Sequence, residues 1–65
     1  MRENMNDTVL KITIDAFVGV QRAMLLARKE NAKETYEELR FQYISNKAAL
    51  SSFGVNLSEI DLIKE

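Results

Sequence analysis

Thr8-Val-Leu-Lys-Ile-Thr-Ile-Asp-Ala-Phe-Val-Gly-Val20 alternates like a strand and also repeats like a helix, and the choice between the two sets the fold. As a strand it puts Leu10, Ile12, Ile14, Ala16, Val18 and Val20 on one face, with Lys11, Thr13, Asp15 and then Gln21 opposite. As a helix it groups Val9, Thr13, Ala16, Val20, Ala23 and Ala27 into a stripe of alternating four- and three-residue steps, flanked by Leu10, Phe17 and Met24. The helical pattern is the longer of the two. It runs into Ala23-Met-Leu-Leu-Ala-Arg28, which are strong helix formers, and it follows Asn6 and Asp7, either of which can cap it. No second strand is visible for a first one to pair with inside the chain. The expected first element is therefore a helix over 8–29, after a flexible 1–7.

On this helix Lys11, Asp15, Arg22 and Lys29 form one narrow polar strip, and apolar or small residues cover most of the remaining circumference. A single partner helix cannot bury so wide a face. Ala16, Ala23 and Ala27, with Gly19 beside them, would let a neighbouring backbone approach closely. The expectation is a helix packed on its own chain on one side and on a second subunit on the other.

Past the charged segment 28–38, Ala32, Tyr36, Leu39, Tyr43, Asn46, Leu50, Phe53 and Leu57 continue the steps of four and three as a heptad-like seam. The step from Ala27 to Ala32 is five, so in one unbroken helix the two stripes would point about 140° apart, at about 100° per residue. A break near Glu30 or Asn31 brings them face to face, and Asn31 with Glu34 has the spacing of a capping box. This predicts a second helix over 32–53. It ends at Gly54, where a left-handed residue is wanted, with Val55 making the accompanying apolar contact. Asn56 with Glu59 repeats the capping spacing and predicts a short third helix over 57–64, whose apolar face holds Leu57, Ile60 and Leu62 or Ile63.

The 65 residues make one small domain, 46% hydrophobic and 29% charged, with a formal net charge of -1. That balance describes a folding chain rather than a disordered one. A chain this short leaves much of its surface unburied and usually needs a staple. With neither cysteine nor histidine, disulfides are excluded and zinc is disfavoured, so oligomerisation is the staple that remains. The near-neutral charge supplies no field for nucleic acid or an anionic membrane. Lys11, Asp15, Gln21 and Arg22 interrupt the apolar run from Val9 to Ala27 and argue against a membrane span. The polar start Met1-Arg-Glu-Asn-Met-Asn-Asp7 lacks the pattern of a secretory signal, so a cytoplasmic location is expected.

Chemistry is absent from the pattern. Triad-type nucleophilic catalysis needs a base such as histidine, and phosphate cradling needs a glycine-rich loop, whereas Gly19 and Gly54 stand alone. Glu30, Glu34, Glu37 and Glu38 are spaced as a solvated helix face rather than a metal site. Of the aromatic residues near Arg40 and Lys47, Tyr36 and Tyr43 lie on the seam, which leaves Phe41 as the exposed candidate for stacking on single-stranded nucleic acid. No enzyme, cofactor or metal is expected.

Two resemblances point instead to DNA. Ala48-Ala-Leu-Ser-Ser-Phe-Gly-Val-Asn-Leu-Ser-Glu-Ile-Asp-Leu-Ile63 resembles the helix-turn-helix of repressors, with Gly54 in the turn and Ile60 and Ile63 as the buried face of the second helix. Glu59, Asp61 and Glu65 would set negative charge against phosphate there. Read as a strand, residues 8–20 are similar to the ribbon of ribbon-helix-helix repressors and would present Lys11, Thr13 and Asp15 to the bases.

The sequence thus predicts an all-α fold: an antiparallel helical hairpin with a short third C-terminal helix, forming a homodimeric helical bundle. The expected role is a small non-enzymatic regulator or adaptor that binds another protein, with duplex DNA as the alternative partner. Phe17, Val20, Met24, Tyr36, Leu39, Tyr43, Asn46 and Leu50 are the expected interface positions. Asn46, a lone polar residue in the seam, is the candidate for fixing register or oligomer state.

Overall fold

In the computed structural model, the backbone is described for residues 2–65 and the side chains for residues 7–65. Two α-helices, α1 (Arg2–Lys29) and α2 (Lys33–Ser52), form an antiparallel hairpin, followed by a single 3-10 turn at Leu57–Glu59. There is no strand among the described residues. The ambiguous opening stretch is helical throughout, so the ribbon on which one DNA-binding reading depends is not formed. The helix also starts earlier than expected: it runs through Asn6 and Asp7 back to Arg2. Met1 lies outside the described residues.

Both helix ends close by the same device. Asn31 takes a left-handed conformation (φ 61°), the Ala32 amide donates to the Ala27 carbonyl (2.8 Å) and the Asn31 amide to that of Arg28 (3.1 Å). This is a Schellman motif with asparagine doing the work usually given to glycine. Gly54 (φ 81°) repeats it, with the Val55 amide on the Leu50 carbonyl (3.0 Å) and the Gly54 amide on that of Ser51 (2.9 Å). Arg28 and Lys29 in the last turn of α1 and Glu34 in the first turn of α2 suit the helix dipoles. The capping box expected at Asn31 and Glu34 is not made. Ala32 occupies the N-cap with no side-chain bond, because Asn31 already serves as the stop of α1.

The core lies between the helices and under the C-terminal tail. Phe17, Met24, Tyr43 and Leu50 are wholly buried and Val20 and Ala27 nearly so. Leu10, Ile14, Tyr36, Leu39, Val55, Leu57, Ile60 and Ile63 pack around the central cluster. The Phe17 and Tyr43 rings stack with centroids 5.4 Å apart and planes 13° from parallel. The face that α1 buries is rotated from the expected one. Leu10, Ile14, Phe17, Gln21 and Met24 point inward, while Val9 and Ala16 are exposed. The physical reason is area: where apolar residues surround most of a helix, burying phenylalanine, leucine and methionine removes more surface from water than burying alanine.

The third helix expected over 57–64 shortens to the one 3-10 turn. Asn56 caps it as expected, its Oδ1 accepting from the Ser58 amide (3.0 Å). Beyond Asp61, however, the amides that would lengthen a helix are taken by side chains. Those of Leu62 and Ile63 donate to Gln21 Oε1 and that of Lys64 to the Asp61 carboxylate. No helix therefore stands where the second helix of a helix-turn-helix would lie.

The molecule measures 45 × 18 × 15 Å. At ~1.5 Å per residue, α1 with 28 residues is about 42 Å long and α2 with 20 about 30 Å. The N-terminal turns of α1 therefore extend past the end of its partner.

Candidate interaction surfaces

The tail is held by a polar clasp that composition and periodicity did not reveal. Gln21 is wholly buried. Its Nε2 donates to the carbonyl oxygens of Phe17 (3.1 Å) and Ile60 (2.8 Å), and its Oε1 accepts from the amides of Leu62 and Ile63 (2.9 Å for the latter). One amide side chain on α1 thus satisfies three backbone groups of the tail. From α2, the Tyr43 hydroxyl donates to Asp61 Oδ1 (2.7 Å) and accepts from the Glu65 amide (3.0 Å). Lys47 Nζ lies 2.9 Å from Asp61 Oδ2 and donates to the Glu65 carbonyl oxygen (2.7 Å). Glu65 receives Arg40 Nε at 2.6 Å on one carboxylate oxygen and the Tyr36 hydroxyl at 2.9 Å on the other. Arg28 in turn donates to the Tyr36 hydroxyl (2.7 Å).

The ionisable groups respond to this arrangement. Burial pushes the Asp61 carboxyl up and is the largest single influence on it, but the Tyr43 hydroxyl, the Lys47 ammonium and the Lys64 amide together hold it below the ordinary aspartate value. Glu65 is lowered by its bonds from Arg40 and then Tyr36. Arg40 is raised chiefly by Glu65, and Lys47 chiefly by Asp61. The charged forms on both sides are therefore the ones the fold selects.

Each polar atom of the clasp already has its partners, and no buried side-chain nitrogen or oxygen among the described residues lacks one. An open recess of ≈ 390 Å³ near the hairpin turn is lined in part by Arg28, Lys33, Glu37 and Glu65, two cations and two carboxylates that offset one another. No cluster able to hold a metal ion occurs among the described residues. No helix among them is long and apolar enough to cross a membrane.

Of the positions expected at an interface, Phe17, Val20, Met24, Tyr43 and Leu50 form the core cluster inside a single chain, and Tyr36 and Leu39 pack against it half-buried. Asn46 is half-buried beside the seam. Large apolar residues left exposed lie on the outer faces of the two helices. Ile12 and Leu26 are 62% and 55% exposed on α1, and Phe41 is 70% exposed on α2 with Ile44 a turn further on. Gln21, Asp61 and Glu65 are the residues that sequence reasoning left out. Gln21 read as polar and therefore outside, and Asp61 and Glu65 read as the charged face of a helix. The available signal was the run Ile60-Asp-Leu-Ile63, too apolar to stay in solvent, whose amides need acceptors if it folds back.

No protein-family model matches the chain, and neither the curated proteins nor the solved structures contain a match.

Proposed function

We propose that the protein is a small non-enzymatic, intracellular regulator or adaptor that acts by binding another protein through the outer face of its helical hairpin. The observation that carries this reading is the outer face of α2. Phe41, the most exposed of the large apolar residues among those described, and Ile44 and Ala48 beyond it follow Glu34, Glu37 and Glu38 along one side of the helix at spacings of three and four. Acidic turns leading into an exposed aromatic suit a partner segment that is basic and apolar, as in helix-in-groove recognition. The ionisable groups of the clasp, by contrast, are engaged within the chain, which supports a binding role rather than a catalytic one.

The test is site-specific photo-crosslinking in cells, with a benzophenone amino acid at position 41 or, as a control, at exposed Thr35 on another face. A discrete adduct at position 41 only, lost when Glu37 and Glu38 are changed to lysine, is the expected result. Equal adducts at both positions, or none at position 41, would overturn the reading.

A further inference from the structure

We propose that a second copy of this chain packs antiparallel along the outer face of α1, about a two-fold axis passing between the two copies of Gly19. The inference rests on the reading that the protein works through its outer helical faces, and it names the partner of one of them. Ile12, Ala16, Gly19, Ala23 and Leu26 follow steps of four, three, four and three, and so line one side of α1. Ile12 and Leu26 are more than half exposed, and Ala16 and Gly19 are exposed as well. A methyl group built on Gly19 would meet nothing within 4 Å. Among the described residues, only Ala23 of this strip is half-buried and the other four positions are exposed.

Two observations select a second copy as the occupant. The first is symmetry of size. Seven residues separate Gly19 from Ile12 on one side and from Leu26 on the other. Antiparallel pairing therefore sets each isoleucine against a leucine, while the small residues between them let the helix axes come to the short end of the roughly 8–10 Å range.

The second is charge. Asp15 and Arg22 border the same edge of the strip, four residues before Gly19 and three after it. The two-fold brings Asp15 of one copy beside Arg22 of the other, twice over. Within the chain, Asp15 has only a loose, exposed contact with Lys11 at 3.8 Å, and Arg22 is exposed with no ion-pair partner among the described residues. Parallel packing would instead set this charged edge against the edge that carries Ala16 and Ala23 and leave both charges unpaired.

The experiment is sedimentation equilibrium of the purified chain from micromolar to millimolar concentration. A dimer is expected for the native sequence. Gly19→Lys should leave the circular dichroism of the hairpin unchanged, because the new side chain enters open space, and should abolish the dimer. Asp15→Arg and Arg22→Asp should each weaken it about tenfold or more, through like charges set against each other at both ends. Mixing those two variants should give a one-to-one heterodimer. A native chain that stays monomeric, a dimer indifferent to Gly19→Lys, or variants that do not recover on mixing would overturn the proposal. All of these readings use the chain alone, so they stand or fall separately from the crosslink at Phe41.

Discussion

Replacing Gln21 by methionine isolates the energy of the clasp. Methionine is close to glutamine in length and volume, so the core around Phe17 and Met24 stays filled, but the side chain can neither donate to the Ile60 carbonyl nor accept from the Leu62 and Ile63 amides. Three bonds at ~0.5–1.5 kcal/mol net each give roughly 1.5–4.5 kcal/mol, and the apolar gain of methionine brings the expected loss to about 2–3 kcal/mol. Against a total of ~3–10 kcal/mol for a domain of 65 residues, that is a large share. If unfolding is cooperative, the melting temperature should drop by roughly 10–20 °C. If the tail leaves alone, the hairpin should persist while the Leu62 and Ile63 amides lose their hydrogen-exchange protection. Urea unfolding followed by circular dichroism, together with residue-resolved exchange, distinguishes the two. A variant that unfolds within ~0.5 kcal/mol of the native chain and keeps both amides protected would refute the assignment of Gln21 as the tail's anchor.

Acid should release the tail. The folded-state values of Asp61 and Glu65 lie below their ordinary ones, so their contribution is fully present above the unfolded values near ~4 and is lost as pH falls through the depressed folded values. Urea midpoints measured from neutral pH downward should fall below about pH 4, and Asp61→Asn should flatten that limb; an unchanged acid limb would count against the pairing. Gly54→Ala should cost about 1 kcal/mol, from the positive φ alone, since the space around Gly54 is open. A neutral effect in a urea melt would show that the Schellman closure is not needed there.

The hairpin was legible because its signals were redundant. On α2, Tyr36, Leu39, Tyr43 and Leu50 are large and regularly spaced, so the seam read correctly as far as Leu50, whereas Phe53, expected to continue it, is exposed at the helix end. The break near Asn31 followed from the five-residue step between the stripes, and Gly54 from the conformation it alone adopts at no steric cost. On α1 the same arithmetic had several solutions. Apolar residues surround most of the helix, so spacing could not choose between a stripe of small residues and one of large residues, and burial favoured the large. Of the stripe that periodicity selected, Val20 and Ala27 are buried, Thr13 and Ala23 half-buried, and Val9 and Ala16 left outside. The tail was illegible for a different reason. Gln21 is buried because the distant tail supplies its partners, and Asp61 because Tyr43 and Lys47 of α2 supply its own, relations that no local window contains.

The clasp also makes the protein its own reporter. The chain has two tyrosines and no tryptophan, and both phenol groups donate to carboxylates of the tail, Tyr36 to Glu65 and Tyr43 to Asp61. An excited phenol is a much stronger acid than its ground state and yields its proton to such an acceptor instead of emitting. Tyrosine emission is expected to be weaker while the tail is docked and to rise when it leaves. The position of the last six residues can therefore be followed in unlabelled protein, at any dilution, by the light it gives off.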